Sequence, residues 1–167
     1  MIKFEALNQE EVYRMATPLE QVCSTLYDTD YHLWVLETVK QLEKRDLDSV
    51  DWQNLIEEIS DLSRRQKKQL KSLLRNLWSH LLKLTYWESE VERNQFHWQG
   101  KIRNFRKQIQ DELEDSPSLK NYLHEIHGEC YQDAREIVSD KSQLPLSRFP
   151  ETLAVTLEQV LDENWFP

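Results

Sequence analysis

The residues best suited to chemistry are Arg75 and His80, which stand five positions apart in a leucine-rich stretch. A histidine with a pKa near neutrality can take up the proton of an RNA 2′-hydroxyl, and an arginine can hold the adjoining phosphate. The pair would therefore suit metal-independent cleavage of RNA. On an α-helix, however, positions five apart differ by about 140°, which predicts that the two side chains lie on different faces. A two-residue motif also occurs by chance in many helices, so it indicates only a candidate.

Glu58, Arg106 and Arg135 are further ionisable residues close to apolar positions. On one straight helix His80 stands about 33 Å from Glu58, so these two would meet only if the helix folded back. The catalytic candidates are His80, Arg75, Glu58 and Arg106, but a satisfied structural network within a helical bundle is the favoured interpretation. For His80 itself we expect burial and a polar partner from another helix.

His124, His127 and Cys130 offer three candidate zinc ligands within about 120° of one helix. Zinc normally needs ligands from a second element, and the sequence contains no paired His or Cys motif elsewhere. His127 and Cys130 also fit an apolar stripe simply as core residues. The glycine-rich loops of nucleotide sites and the GxSxG motif of serine hydrolases are missing from the sequence. We therefore expect no metal, no cofactor and no nucleotide.

Charge is distributed unevenly along the chain. Residues 64–107 carry twelve Lys or Arg and three acids, a balance of +9, whereas the whole chain has a formal net charge of −9. An acidic chain argues against a dedicated duplex-DNA binder, because phosphate contacts usually demand a basic domain. The basic segment instead predicts a local surface for an acidic partner, either protein or RNA.

Composition favours one helical domain. The 167 residues include two glycines, Gly100 and Gly128, far fewer than the turns of a sheet protein require. No apolar run reaches the roughly eighteen residues of a membrane span, and residues 1–5 lack the apolar start of a signal peptide. Cys23 and Cys130 have no CxxC spacing, which favours a reducing cytoplasm as the location.

Apolar spacing predicts a first helix from Asp28 to about Arg45 and an unusually long second helix from Trp52 to about Trp87. Asp51 is the predicted N-cap of the long helix. A helix of this length outside a coiled coil favours a bend, which we place near residues 63–66. The face opposite its apolar stripe carries a predicted exposed basic ridge, which is the predicted partner-binding site: Arg64, Lys67, Lys68, Lys71 and Arg75.

The second half of the chain shows further helical spacing and no useful period-two alternation, which predicts an all-α fold. Ser116 and Pro117 suit the N-cap and the first position of a helix. The predicted order is a connection at residues 88–95, a third helix with an apolar stripe from Trp98 to Leu113, a fourth helix from Ser116 to about Ser139, and a short helix at residues 157–161 before a C-terminal tail.

Landmarks over about residues 26–167 occur in the order seen in a known family. They are LYDTDY at 26–31 with Trp34, DWQNLIEEI at 51–59, HLLKL at 80–84, Trp98 with Ile102, Arg103 and Arg106, SPSL at 116–119, Tyr131 with the run 133–135, and TLEQVLD at 156–162. Together they resemble the bacterial domain-of-unknown-function family 29, which is abundant in cyanobacteria. The resemblance implies a single all-α domain and brings no established activity with it.

The chain departs from this family between Tyr86 and His97. Family members usually show Gln or Tyr, then Pro-Glu, then basic and serine residues there, whereas this chain has WESEVERNQ at 87–95. This difference puts any function of that segment in doubt. Residues 1–25 match nothing in the family and are predicted to form a loosely attached N-terminal arm.

These observations predict a single all-α, four-helix bundle-like domain over residues 26–167, with one long central helix, an N-terminal arm at 1–25 and a docked C-terminal tail. The favoured function is a cytoplasmic, non-enzymatic interaction module that binds an acidic protein or an RNA through its basic helix face. The alternative is a small ribonuclease centred on His80, similar to the HEPN class in the spacing of Arg75 and His80. The sequence indicates neither the ligand nor the oligomeric state.

Overall fold

The computed structural model describes residues 26–152 and 155–167. The predicted N-terminal arm, residues 1–25, lies outside the described residues. The chain divides into two compact units, Met1–Leu62 and Ser63–Pro167. The described residues form helices and contain no β-strand, which confirms the predicted all-α fold with one long central helix.

The helices are labelled here in chain order. Residues 26–29 form a helical turn, and short 3₁₀ turns lie at Leu47–Ser49 and Leu146–Arg148. The longest helix, with 35 residues, is continuous across residues 63–66, where the sequence predicts a bend. No helix among the described residues is long and apolar enough to cross a membrane. Within residues 31–152 and 155–167 the helices are α1 (Tyr31–Lys44), α2 (Trp52–Tyr86), α3 (Glu88–Asp115), α4 (Leu119–Ser142) and α5 (Leu157–Leu161).

The ends of α1 are fixed by local hydrogen bonding and backbone geometry. The Asp30 carboxylate caps the helix by accepting a 2.9 Å hydrogen bond from the backbone N–H of Leu33. The N-cap predicted at Asp28 is therefore wrong. Asp28 and Asp30 have the same capping ability and stand two positions apart, so residue type alone does not distinguish between them. The helix ends at Arg45, which takes the left-handed conformation (φ 58°) that commonly closes helices.

Asp51 precedes α2 as predicted. Its carboxylate accepts hydrogen bonds from the backbone N–H of Asn54 at 3.3 Å and from the Asn54 side chain at 2.6 Å. These bonds satisfy one of the backbone donors that a helix start leaves without an intrahelical partner.

The connection between α2 and α3 is the single residue Trp87, which corrects the loop predicted at residues 88–95. Trp87 leaves the helical region (φ −91°, ψ 65°), and its ring stacks on that of Trp98 at 5.9 Å. Glu88 and Glu90 lie in the first turn of α3, where acidic side chains stabilise the positive end of the helix dipole. The apolar pattern does not predict that α3 starts at Glu88, because α3 buries no residue before Trp98.

Ser116 ends α3 and does not cap α4. Its N–H bonds to the Glu112 carbonyl at 3.0 Å, and its hydroxyl accepts a 2.7 Å hydrogen bond from the Gln66 side chain. α4 begins at Leu119, after Ser118, whose side chain makes no capping hydrogen bond. The Ser116-Pro117 signal therefore marks the turn between the helices and places the start of α4 too early.

α2 and α3 run antiparallel. Contacts between them pair late residues of one helix with early residues of the other: Gln66 with Ser116, Gln69 with Glu112, His80 with Phe105, and Trp87 with Trp98. A connection of one residue is consistent with this arrangement, because short links join antiparallel neighbours in helical bundles.

The apolar core of Ser63–Pro167 is built from α2, α3, α4 and α5. α2 supplies a row of buried residues from Leu70 to Leu82, which faces buried residues of the other helices. Leu157 and Val160 of α5 are buried in the same core, which confirms the predicted docking of the C-terminal segment. Burial of each such side chain contributes about 1.5–3 kcal/mol, so this row accounts for much of the driving force for folding.

Substitutions at Leu74 and Ile59 test which part of α2 packs in the core, because Leu74 is fully buried and Ile59 is 58% exposed. Leu74→Ala should lower the free energy of unfolding by about 2–5 kcal/mol through lost burial and a residual cavity. Ile59→Ala, a similar truncation on the same helix, should change it by less than about 0.5 kcal/mol. Urea unfolding followed by circular dichroism measures both, and equal costs for the two variants would contradict this placement of the core.

Candidate functional site

The predicted basic ridge of α2 is in large part a contact with α4. Lys71 Nζ lies 2.7 Å from the Glu129 carboxylate. The carboxylate of Asp133 lies 3.7 Å from Arg75, and Lys67 Nζ lies 5.1 Å from the centre of the Tyr122 ring. α4 therefore brings acids and an aromatic ring to the cations that the sequence predicts to be exposed. Of the predicted ridge, Arg64, Lys67 and Lys68 are exposed, while Lys71 and Arg75 are partly buried.

Arg75 and His80 do not form a joint site. Arg75 is directed to Asp133 of α4, whereas the His80 ring packs on Phe105 of α3 with centroids 5.2 Å apart. The angular separation of about 140° on the helix accounts for this divergence. The pairing on which the sequence-level ribonuclease hypothesis depends is therefore not assembled.

His80 is partly buried and takes its hydrogen bond from its own helix. Its Nδ1 lies 2.8 Å from the Asn76 carbonyl oxygen, so the prediction of a polar partner from another helix is wrong. A carbonyl oxygen can only accept, which places the proton on Nδ1 and leaves Nε2 as an acceptor in the neutral ring. Burial lowers the pKa of His80, while the bond to Asn76 opposes that shift.

A second basic surface lies on the outer side of α3. Residues 93–110 contain five Lys or Arg and no acid. At about 100° per residue, one set of these residues falls within about 140° on the side opposite the buried Trp98 and Ile102. We call this set the α3 basic face: Arg93, Phe96, His97, Gly100, Lys101, Asn104 and Lys107.

The centre of the α3 basic face is a shallow hollow of about 380 Å³. Phe96, the residue beside it, is 79% exposed, an unusual position for a large aromatic side chain. Gly100 also lines the hollow, and a Cβ placed there would meet nothing within 4 Å. Packing therefore does not require glycine at this position, and the missing side chain leaves the surface open beside Phe96.

His80 is electrostatically linked to the α3 basic face. The positive charges of Lys83, His97 and Lys101 lower the pKa of His80, in addition to the larger effect of burial. Two histidines and two lysines from α2 and α3 thus lie in one neighbourhood within Ser63–Pro167. Such a group suits the binding of an anion such as a phosphate.

The remaining catalytic candidates have separate partners. Glu58 accepts hydrogen bonds from the hydroxyls of Tyr27 at 2.7 Å and Tyr31 at 2.9 Å within Met1–Leu62, and this carboxylate raises the pKa of Tyr27 to about 12. Arg106 is buried and donates to the Val160 carbonyl at 2.8 Å.

Arg135 is also buried, and it donates to the carbonyl of Phe149 at 3.0 Å. The hydrogen bonds of His80, Arg106 and Arg135 go to separate backbone and side-chain acceptors and not to one another. The single polar network that the sequence favours is not formed by these three residues.

The three candidate zinc ligands are also dispersed. His124 Nε2 lies 3.5 Å from the Glu158 carboxylate, whereas the His127 ring stacks on Trp78. Cys130 is fully buried, and burial raises its pKa to about 11, which disfavours the thiolate that binds metal. Within residues 26–152 and 155–167, no three His, Cys, Asp or Glu side chains are grouped so as to hold a metal ion.

Sequence reasoning missed the α3 basic face because it assigned residues 88–95 to a loop. Two signals were available in the sequence. One is the run of eighteen residues without an acid at 93–110, and the other is Phe96, an aromatic residue two positions outside the apolar stripe that starts at Trp98.

The chain can now be placed among known proteins. The helices of residues 26–152 and 155–167 define an all-α domain. The family model described as "Domain of unknown function DUF29" matches residues 26–166, and the chain belongs to this family. No curated protein and no solved structure matches the chain significantly.

The two partly buried histidines generate a pH dependence of stability. Burial lowers the pKa of His80 and of His127, so the folded protein binds fewer protons than the unfolded chain below the usual histidine pKa of about 6.5. The free energy of unfolding should therefore be greatest above this pH and should fall as the pH decreases to about 5.5. Urea unfolding across this range measures the slope.

His80→Gln supplies the control for this prediction. The glutamine amide can still donate to the Asn76 carbonyl but does not titrate, so the slope should become shallower while the fold is kept. Stability that stays constant, or rises, as the pH falls from 7.5 to 5.5 in the parent protein would contradict the inferred pKa shifts.

Proposed function

We propose that this domain is a non-enzymatic module that binds single-stranded RNA through the α3 basic face. The observation that carries the proposal is Phe96, which is 79% exposed beside cationic residues in a segment without acids. An exposed aromatic ring flanked by cations is the recurring arrangement for single-stranded nucleic acid, because bases stack on the ring while the cations contact phosphates.

Each position on the α3 basic face has a distinct role in this proposal. Phe96 offers its ring to one base, and the hollow at Gly100 admits the sugar and backbone beside it. Lys101 and Lys107 stand about 9 Å apart along the helix axis and contact successive phosphates. Asn104 lies between them and offers an amide that can bond a base edge.

The charge distribution favours RNA over an acidic protein as the partner. A formal net charge of −9 repels long polyanions in general. RNA binding must therefore be confined to one basic surface, and its free energy must include interactions other than charge attraction. Stacking on Phe96 supplies such a gain, since each stacked base contributes about 1–3 kcal/mol. The predicted α2 ridge is less suited, because three of its cations contact Glu129, Asp133 and Tyr122. The cysteine spacing supports a cytoplasmic location, where RNA is accessible.

Matched charge reversals test which basic surface binds. Lys101→Glu with Lys107→Glu should weaken binding of single-stranded oligouridine at least about tenfold and lower the slope of log K against log salt by about 0.7 for each lost phosphate contact. Lys67→Glu with Lys68→Glu makes the same change of charge on α2 and should have a much smaller effect. Fluorescence anisotropy at several salt concentrations measures both.

The outcome of this comparison decides between the surfaces and the partners. A loss caused by the α2 pair and not by the α3 pair would assign binding to the α2 ridge and contradict the proposal.

Phe96→Ala should also weaken oligouridine binding, whereas Phe96→Tyr should retain it, because tyrosine stacks equally well. Binding of polyglutamate but not of oligouridine would favour the acidic-protein alternative.

RNA cleavage at His80 is the second candidate, and the hydrogen bond to Asn76 is the observation that favours it. That bond leaves His80 Nε2 free to accept a proton, and the lowered pKa keeps the ring neutral near pH 7. In such a reaction Nε2 takes the 2′-hydroxyl proton, the oxygen attacks phosphorus, and the 5′ oxygen leaves with a proton from His97. The products are a 2′,3′-cyclic phosphate and a 5′-hydroxyl.

His80→Gln distinguishes cleavage from binding. If the domain cleaves RNA, this variant should lose at least about 10²-fold in rate, as expected for removal of a general base, with activity unaffected by EDTA. His32→Gln, which removes an exposed histidine of α1, is the matched control and should retain the activity. Cleavage that survives His80→Gln, or that depends on a metal, would exclude the proposed chemistry.

A further inference from the structure

The helix pair within Met1–Leu62 leaves much of its apolar surface exposed. Residues 45–51 join the end of α1 to the start of α2, while the Tyr31 hydroxyl at the start of α1 donates to Glu58, further along α2, at 2.9 Å. α1 and residues 52–62 of α2 therefore run antiparallel. Among residues 26–62 three side chains are buried: Trp34, Thr38 and Val50. Five large apolar side chains, between 37% and 61% exposed, form what we call the helix-pair face: Val39, Leu42, Trp52, Ile56 and Ile59.

The helix-pair face occupies one side of the two helices. On α1 the buried Trp34 and Thr38 mark the direction of α2, and the two face residues of α1 follow at about 60–120° in the sense in which the helix winds. On α2 the partly buried Leu55 and Glu58 mark the direction of α1, and the three face residues of α2 follow at about 70–130° in the same sense. In antiparallel helices, equal rotations from a shared contact lead to the same side. The two stripes thus form one surface.

The helix-pair face carries no formal charge. Over the same arc of about 60–130° on both helices, residues 31–62 place Val35 and the five face residues, and no Asp, Glu, Lys or Arg. A formal net charge of −9 opposes contact between acidic surfaces of two copies, but an uncharged face can meet its own copy without that repulsion. The same face offers no ion pair to a charged partner.

The size of the helix-pair face suits a small interface between two copies. A large apolar side chain has about 150–200 Å² of surface, so five side chains at about half exposure leave roughly 400 Å². Specific interfaces bury about 600–1,000 Å² per partner, of which about 65% is apolar in homodimers. The face therefore supplies the apolar area that an interface at the lower end of this range needs.

We propose that a second copy of this chain covers the helix-pair face, so that two helix pairs form a four-helix bundle around a two-fold axis. A layer of helices with one apolar side is stable when another layer covers that side, and a second helix pair supplies a layer of equal length. In a two-fold dimer each face meets the same face of its partner, which requires a surface that is compatible with itself. The dimer uses no residue of α3 and goes beyond the RNA binding proposed above.

Sedimentation velocity of the full chain between about 1 and 200 µM tests the proposal. The mass should rise with concentration from the monomer value of 20.2 kDa toward twice that value. Because the interface is small, we expect a dissociation constant on the order of 10 µM. Dilute unfolding experiments at about 1 µM then report on the monomer, in which Ile59 is exposed.

Variants with one added charge test the location of the interface. Ile56→Glu places like charges in both copies of the face and should weaken dimerisation at least about tenfold, with unchanged helix content because the side chain is exposed. Leu33→Glu is the matched control. Leu33 is also exposed but lies on the opposite side of α1, so this variant should dimerise like the parent.

Mixing two variants tests whether the face pairs with itself. An equimolar mixture of Ile56→Glu and Ile56→Lys should associate at least about threefold more tightly than either variant alone, because unlike charges replace like charges across the two-fold axis. Equal association in the mixture and in the separate variants would show that the two faces do not meet.

Two further results would overturn the proposal. A loss of dimer in Leu33→Glu but not in Ile56→Glu would place the interface on another surface. A mass of 20.2 kDa at every concentration would show that no second copy binds. In that case a lower thermal stability of Ile56→Glu would assign the face to contacts within the same chain, and an unchanged stability would assign it to a different protein.

Discussion

The reversal of the chain at Trp87 determines much of the arrangement within Ser63–Pro167. A link of one residue leaves α2 and α3 little freedom in register, and the stacking of Trp87 on Trp98 adds a contact at the point of reversal. With increasing distance from Trp87, successive turns of α2 contact successive turns of α3. His80 consequently lies beside Phe105, and the cations of α3 come close enough to His80 to lower its pKa.

Complementary charge explains which basic surface stays open. α4 presents Glu129 and Asp133 to α2, so the cations Lys71 and Arg75 are paired within the unit. Surface pairs of this kind add little stability, about 0–1 kcal/mol each, but they occupy the groups that an acidic ligand would need. Residues 93–110 of α3 contain no acid, and their outer side keeps both its charge and an exposed aromatic ring.

The sequence predicts the helices better than it predicts their ends and partners. The apolar spacing of α2 predicts its length, but it does not locate the core. Ile59 and Leu62 belong to the predicted apolar stripe and are exposed, whereas the buried row runs from Leu70 to Leu82. The start of α3 does not follow, because its first turns bury nothing and leave no apolar period. The partners of His80 and Arg75 depend on which helix lies beside each face of α2, and a single helical pattern carries no information about its neighbours.

Arg106 has a consequence for the order in which the chain folds. Its hydrogen bond to Val160 joins residues 54 positions apart, so closing this loop costs conformational entropy before the contact is gained. α5 has five residues and cannot persist as a helix without the surface it packs on. The segment from Leu157 onward is therefore expected to join a preformed α2–α3–α4 core late in folding and to detach first in partial unfolding. Its detachment would return the Arg106 guanidinium to water, which makes hydrogen exchange in this segment a sensitive reporter of local opening.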